Sequence, residues 1–333
     1  RKTTSDKDMT DFSAFESFKV KLDAMDAELK VLGTDVENLK DKKQALHEVE
    51  QLGLQDSNVD SVEFSDLIFS YREGSGDLHW SRLSTGESFM HALPSLQFKR
   101  ECSWCAVPEH YLYFTGGGTS TYFNDVVCLD TRNFTVSIKS PMINARMHHN
   151  SVLLGGYIYV IGGYNRTALK ECERYSMLSN KWEGLSPLPM GLYAASLVVH
   201  DYSHNSRLQE LKASYGNSLI SQKLLVLGGH DGTRGINRIH ELNIDRLEWR
   251  ILELKLPSSS YHIASFRSGN ECFFVQDGHL YLLREHTHEI RLLKRLSSHI
   301  QSFFGPSHYS RGTIFASSNI GAVQQLSIGS LSS

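Results

Sequence analysis

Tyr157-Ile158-Tyr159-Val160-Ile161-Gly162-Gly163 is the stretch on which the fold turns. Its β-branched and aromatic residues form a run of strand length with no polar alternation, the pattern of a strand buried on both faces. Two glycines close it, where the backbone can bend without a Cβ in the way. The unit recurs as Tyr111-Leu112-Tyr113-Phe114-Thr115-Gly116-Gly117 and as Leu224-Leu225-Val226-Leu227-Gly228-Gly229. Gly116 and Gly162 lie 46 residues apart, near the ~50 of one strand-rich repeat. Gly162 and Gly228 lie 66 apart, so that unit carries an insertion, placed at about 200–222.

Other residues keep step with the glycines. Arg100 and Arg146 each precede a diglycine by sixteen residues, which sets Cys102 opposite His148 and Cys105 opposite Ser151. Tyr175 is followed seven residues later by Trp182, and Leu242 seven later by Trp249, as suits two antiparallel strands packing against the next repeat. With Arg146, His149, Gly162, Gly163, Leu169, Tyr175, Asn180 and Trp182 in this order, the chain resembles the kelch-repeat β-propellers. That resemblance spans about 61–333. It implies an all-β ring of four-stranded antiparallel blades, with the diglycine closing each second strand and the Tyr and Trp packing between blades.

The other units depart from the pattern. Leu129 and Phe134 stand for the Tyr and Trp in the first diglycine unit, and Gly191 stands where Arg is usual in the third. Phe273-Phe274-Val275-Gln276-Asp277-Gly278-His279-Leu280-Tyr281-Leu282-Leu283 keeps the strands without the diglycine. Strand-like stretches around Leu67-Ile68-Phe69, His79-Trp80-Ser81 and Phe89-Met90-His91 precede four fuller units at about 98–142, 143–190, 191–257 and 258–297. Thr313-Ile314-Phe315-Ala316 and Ala322-Val323-Gln324-Gln325-Leu326 supply the last two or three strands. The total of about 22 is nearest to the 24 of a six-bladed ring, with five or seven blades left open and closure by pairing of early and late strands.

Residues 1–10 read as a flexible start, 11–52 as a long helix and 53–60 as a polar linker. Phe15, Phe18, Leu22, Met25, Leu29, Leu32, Val36, Leu39 and Leu46 follow a 3.5-residue period, the seam of a coiled coil. Lys43 breaks the seam at an a position. Lys21 with Asp26 and Asp35 with Lys40 would face each other with opposite signs in a parallel dimer. The expectation is a homo-oligomer through this coil; a single amphipathic helix lying on the propeller is the alternative.

Lys plus Arg (34) nearly equals Asp plus Glu (37), which leaves no basic footprint for nucleic acid and no polybasic membrane signal. No apolar run reaches the ~18 residues of a membrane helix. Five Cys suit a reducing compartment rather than a disulfide framework, and the expected location is the cytoplasm. Because the first residue is Arg1, a longer parent chain is expected. The sequons at Asn133 and Asn165 read as chance matches.

Cys102-Ser103-Trp104-Cys105 has no second CxxC to complete a zinc site, and buried strand cysteines are the simpler reading. His148-His149 and His286-Thr287-His288 lack a convincing third ligand, so no metal and no cofactor are expected. Neither a phosphate loop nor the repeats and ligand sets of propeller enzymes are present, so no enzyme is expected.

Binding remains. The resemblance implies that the loops after the diglycines and those before each first strand gather at one mouth. This nominates Arg100, Arg146, Tyr164, Arg166, His230 and Arg234, which would suit an acidic peptide segment of a protein partner. Arg100 and Arg146 could instead hold the loops of adjacent blades together. The inserted loop is a further contact candidate. The function expected is a non-catalytic interaction scaffold whose coil raises effective concentration. The alternatives are the substrate-recognition part of a ubiquitin ligase, with a zinc-binding module upstream, and a cytoskeleton-associated kelch protein.

Overall fold

The computed structural model describes residues 66–94, 96–107, 110–200, 222–268, 271–284, 289–297, 307–310, 313–316, 323–328 and 331. The expected coil at 11–52, the linker at 53–60, the inserted loop at 201–221 and His286-Thr287-His288 lie outside them. All regular structure of any length among the described residues is β-strand.

The first sheet has three strands in the order β1 (Leu67–Tyr71), β2 (Asp77–Arg82) and β3 (Ser88–Ala92). Four four-stranded sheets follow. The second holds β4 (Ser103–Val107), β5 (Tyr111–Thr115), β6 (Val126–Asp130) and β7 (Thr135–Lys139). The third holds β8 (Asn150–Leu154), β9 (Tyr157–Ile161), β12 (Cys172–Ser176) and β13 (Lys181–Leu185), with a two-residue ladder, β10 (Tyr164–Asn165) and β11 (Thr167–Ala168), in its central loop. The fourth holds β14 (Ser196–His200), β15 (Lys223–Leu227), β16 (Ile236–Asn243) and β17 (Glu248–Ser260). The fifth holds β18 (Ala264–Ser268), β19 (Glu271–Gln276), β20 (His279–Arg284) and β21 (Glu289–Arg295), and the last three strands are β22 (Ser307–Ser310), β23 (Thr313–Ala316) and β24 (Gln324–Ser327). All pairings within these sheets are antiparallel, as short connections require.

The first strands β4, β8, β14, β18 and β22 contact one another in succession, so the sheets are arrayed side by side like the blades of a propeller. β1 shares the burial pattern of the second strands β5, β9 and β15. Its Ile68 packs with Phe315 of β23, and its Phe69 and Tyr71 pack with Leu112 and Phe114 of β5. β1 therefore packs as the counterpart of a second strand, although it is the edge of the three described strands of its own sheet.

Each diglycine is a junction between sheets. A Cβ on Gly116 would come within 2.5 Å of the carbonyl oxygen of Arg146 in the linker to the next sheet, one on Gly228 within 2.5 Å of that of Ser260 where β17 leads out to the fifth sheet, and one on Gly162 would overlap that of Leu192 in the linker to the fourth. The second glycine of each pair donates its N–H to the same carbonyl: Gly117 to Arg146 at 2.8 Å, Gly163 to Leu192 at 2.8 Å and Gly229 to Ser260 at 2.9 Å. The outer strands are tied in parallel fashion. The indoles of Trp182 and Trp249 donate to Ser140 and Ser186 of the preceding sheet, both at 2.8 Å. Tyr175 is fully buried between the second and third sheets, 5.9 Å from the Tyr113 ring and hydrogen-bonded to Asn180.

A third set of links runs around the inner strands. The residue two before each first strand has positive φ: Glu101 (54°), His148 (52°), Ala194 (52°) and His262 (56°). His148 N–H donates to Glu101 O, Ala194 N–H to His148 O and His262 N–H to Ala194 O, at 3.3, 2.7 and 3.0 Å. None of the four is glycine, so this left-handed turn is sustained by the bonds it makes to its neighbours.

Candidate partner-binding mouth

The loops after the diglycines lie beside the linkers that lead into the first strands. Met147 bridges to Tyr164, and Tyr193 bridges to His230, through isolated antiparallel pairs. The rings on these segments are continuous. Tyr122 lies 6.1 Å from Tyr164, Tyr164 5.2 Å from Tyr193, Tyr193 5.0 Å from His230, and His230 5.8 Å from Tyr261. The strip thus crosses from the second sheet to the linker of the fifth, with His148 and His262 alongside it. Tyr261 is about half exposed, and burial raises the Tyr193 phenol above its ordinary pKa.

Of the residues nominated from sequence, Tyr164 and His230 fall in this strip. Arg166 and Arg234 flank it as exposed cations, with Arg234 3.9 Å from Asp231. Asp231 is held down to about 2 by hydrogen bonds from the Arg234 and Thr233 backbone and the Thr233 hydroxyl, which fix the turn that carries Arg234. Arg100 is exposed but bonds Glu73 at 3.1 Å, and Glu73 also accepts the Glu101 N–H. Arg100 therefore joins the loops of the first and second sheets.

Arg146 must be removed from the list. Its side chain is 0% exposed, and its guanidinium bonds the Glu173 carboxylate at 2.5 Å, the Glu171 carbonyl at 2.8 Å and the Gly162 carbonyl. Glu173 accepts the Ile143 and Asn144 N–H groups as well. Arg146 is a cross-tie inside its own sheet and cannot reach a ligand.

The spacing of sixteen also misaligned the second sheet. The turn between β4 and β5 is one residue longer than the Gly155-Gly156 turn between β8 and β9. Ser103 and Asn150 are equivalent, each paired to the residue just before a diglycine. By that register Lys99, not Arg100, stands at the position of Arg146, and Cys102 stands at that of His149 rather than His148. The same register puts Leu192, rather than Gly191, at the arginine position of the fourth sheet. It puts Arg100, Met147, Tyr193 and Tyr261 at one repeated mouth position, which is how Tyr193 and Tyr261 could have been found.

Cys102, Cys105 and His149 are spent on packing. Cys102 and Cys105 lie in different core clusters, and burial pushes both thiols up to about 12. His149 is buried and bonds the Thr115 hydroxyl of the second sheet at 2.9 Å; burial, then Arg146 and His148, hold its pKa well below the ordinary value. Among the described residues no group of three His, Cys, Asp or Glu could hold a metal, and no helix is long and apolar enough to cross a membrane.

His240 takes the place of Glu173 in the fourth sheet. It is 0% exposed, neither ring nitrogen has a hydrogen-bond partner among the described residues, and burial pushes its pKa down to about 4. The unfolded chain takes up a proton near 6.5 that the folded chain refuses until about 4. Stability is therefore complete above 6.5 and falls as pH drops toward 4. The expected loss from this group by pH 5 is about 2 kcal/mol. His240→Leu should flatten that part of the pH profile of urea unfolding, and an unchanged slope would refute the account.

These sheets and diglycine junctions have the architecture of a kelch-type β-propeller. The kelch motif model matches residues 145–189. The chain is 30% identical over 140 residues to Kelch-like protein 23 of Homo sapiens, covering 40% of this chain and 21% of that protein. It is 36% identical over 112 residues to Kelch-like protein 25 of Xenopus tropicalis, covering 30% of this chain and 19% of that one. The matched region thus spans about a fifth of the length of these relatives.

Proposed function

We propose that the mouth grips an extended, acidic segment of a protein partner. The observation that carries this reading is the aromatic strip from Tyr122 to Tyr261, a run of tilted and edge-to-face rings that offers aromatic contact surface across several sheets. Arg166 and Arg234 beside it supply cations for charge-assisted bonds. The first and last three-strand sheets complete a six-bladed ring in this reading, and the seam at 11–52 pairs two such rings in the cytoplasm. Similarity to Kelch-like proteins favours a second reading, in which the mouth recognises substrates for a ubiquitin ligase.

Affinity capture with the full chain tests the proposal. A Tyr193→Ala/His230→Ala variant should lose at least about tenfold in partner yield while still unfolding cooperatively; both rings are half-buried against their neighbours in the strip, so its midpoint is read beside the capture. Equal capture by a folded variant would move the site off the mouth. A Leu29→Asp/Leu32→Asp variant should weaken capture only where pairing supplies effective concentration.

A further inference from the structure

An open cavity of about 610 Å³ lies between the loops of the second and third sheets. Ser120, Thr121 and Tyr122 line it from one side, and Ala145, Asn165 and Arg166 from the other. The Ser120 and Thr121 hydroxyls are exposed and have no hydrogen-bond partner among the described residues. No carboxylate lines the cavity, and Arg166 has no ion-pair partner among the described residues. The cavity therefore presents donors and a free guanidinium with nothing to neutralise them.

Arg166 is also held in a strained place. It is the single residue between β10 and β11, whose pairs Tyr164–Ala168 and Asn165–Thr167 close the tip around it. Its φ is 62°. Glu101, His148, Ala194 and His262 share such angles before the first strands, and Phe134, Asn180 and Leu247 before the outer strands. Those seven recur because the repeat needs the turn, whereas Arg166 belongs to neither set. The Asn165 amide anchors the tip to the Ala145 carbonyl at 2.9 Å. Glycine would meet the backbone requirement at lower cost, so the side chain is what the position keeps.

We propose that this cavity seats an oxyanion carried by the partner segment, an Asp or Glu carboxylate or a phosphoryl group, clamped by Arg166 with the Ser120 and Thr121 hydroxyls. Paired donors of a planar guanidinium match two oxygens of either group. The proposal rests on the mouth being the partner-binding face, and it adds the anchor that fixes the segment at one end of the aromatic strip.

The test uses N-acetyl-O-phosphoserine methylamide, N-acetylglutamate methylamide and neutral N-acetylglutamine methylamide as probes, followed at the Arg166 Nε–H resonance of the full chain. The two anions should give saturable shifts and the neutral probe none; the tighter anion identifies the source. Arg166→Gly should weaken anion binding at least about tenfold and raise the melting temperature by about 2 °C, since it relieves the backbone. Arg246→Gln, in the exposed turn between β16 and β17, should bind the anions as the parent does. Retained binding by Arg166→Gly, a lowered melting temperature, or equal response to the neutral probe would overturn the anion site. Full partner capture by Arg166→Gly would overturn its role in the partner complex. Full capture by Tyr193→Ala/His230→Ala with intact anion shifts would instead fail the mouth reading alone.

Discussion

Arg146→Ala is expected to destabilise the protein by about 3–5 kcal/mol, the cost of leaving a buried carboxylate without its counter-charge. Both partners of the Arg146–Glu173 pair are fully buried, and no water can replace the guanidinium at 2.5 Å. The carbonyls of Gly162 and Glu171 lose their donor in the same step. The Arg146 carbonyl also receives Gly117 of the second sheet, so loosening this residue frees two sheets at once. Arg146→Met/Glu173→Gln should recover at least half of the loss, because it leaves no unpaired buried charge, although the single amide oxygen can replace only one of the two carboxylate oxygens that accept the Ile143 and Asn144 N–H groups. Urea denaturation of the three proteins decides the matter. A loss below about 1 kcal/mol for Arg146→Ala would return the residue to the surface, where such pairs contribute that little.

Gly162→Val should be at least as damaging. The position has φ 59° and its missing Cβ faces the Leu192 carbonyl of the next sheet. A left-handed β-branched residue costs about 1–2 kcal/mol on its own. The overlap with main chain cannot be relieved by turning a side chain, so the third and fourth sheets must separate and the Gly163 to Leu192 bond must stretch. A total above about 4 kcal/mol is expected, in the range reserved for core overpacking and backbone strain. Gly74→Ala provides the control: its φ is 73° but nothing lies within 4 Å. It should cost only about 1 kcal/mol. Similar losses at the two sites, read from thermal unfolding, would mean that φ alone and not the contact between sheets demands glycine.

The same two residues show how far reading the chain could go. Glycine pairs after apolar runs mark places where backbone meets backbone, and that meaning survives without coordinates because only a missing side chain permits it. The Tyr175 and Trp182 spacing likewise announces strands that pack on a neighbour, since the repeat cannot bury its own face alone. An arginine at a repeated position carries no such meaning by itself. Arg146 and Arg166 have the same chemistry, yet one is sealed against Glu173 and the other stands free beside a cavity.

The repeat, the all-β class and the junction glycines were thus determined by the sequence alone, because periodic burial and the lack of a Cβ are local facts. Tertiary structure decided which polar residues face a partner. One extra residue in the turn before β5 moved Arg100 out of register with Arg146, and the insertion before β15 and the missing diglycine of the fifth sheet hid Tyr193 and Tyr261 from a count of positions. Exposure and charge neutralisation depend on what the neighbouring sheet brings to the same point in space, and the order of residues along one strand holds no record of that.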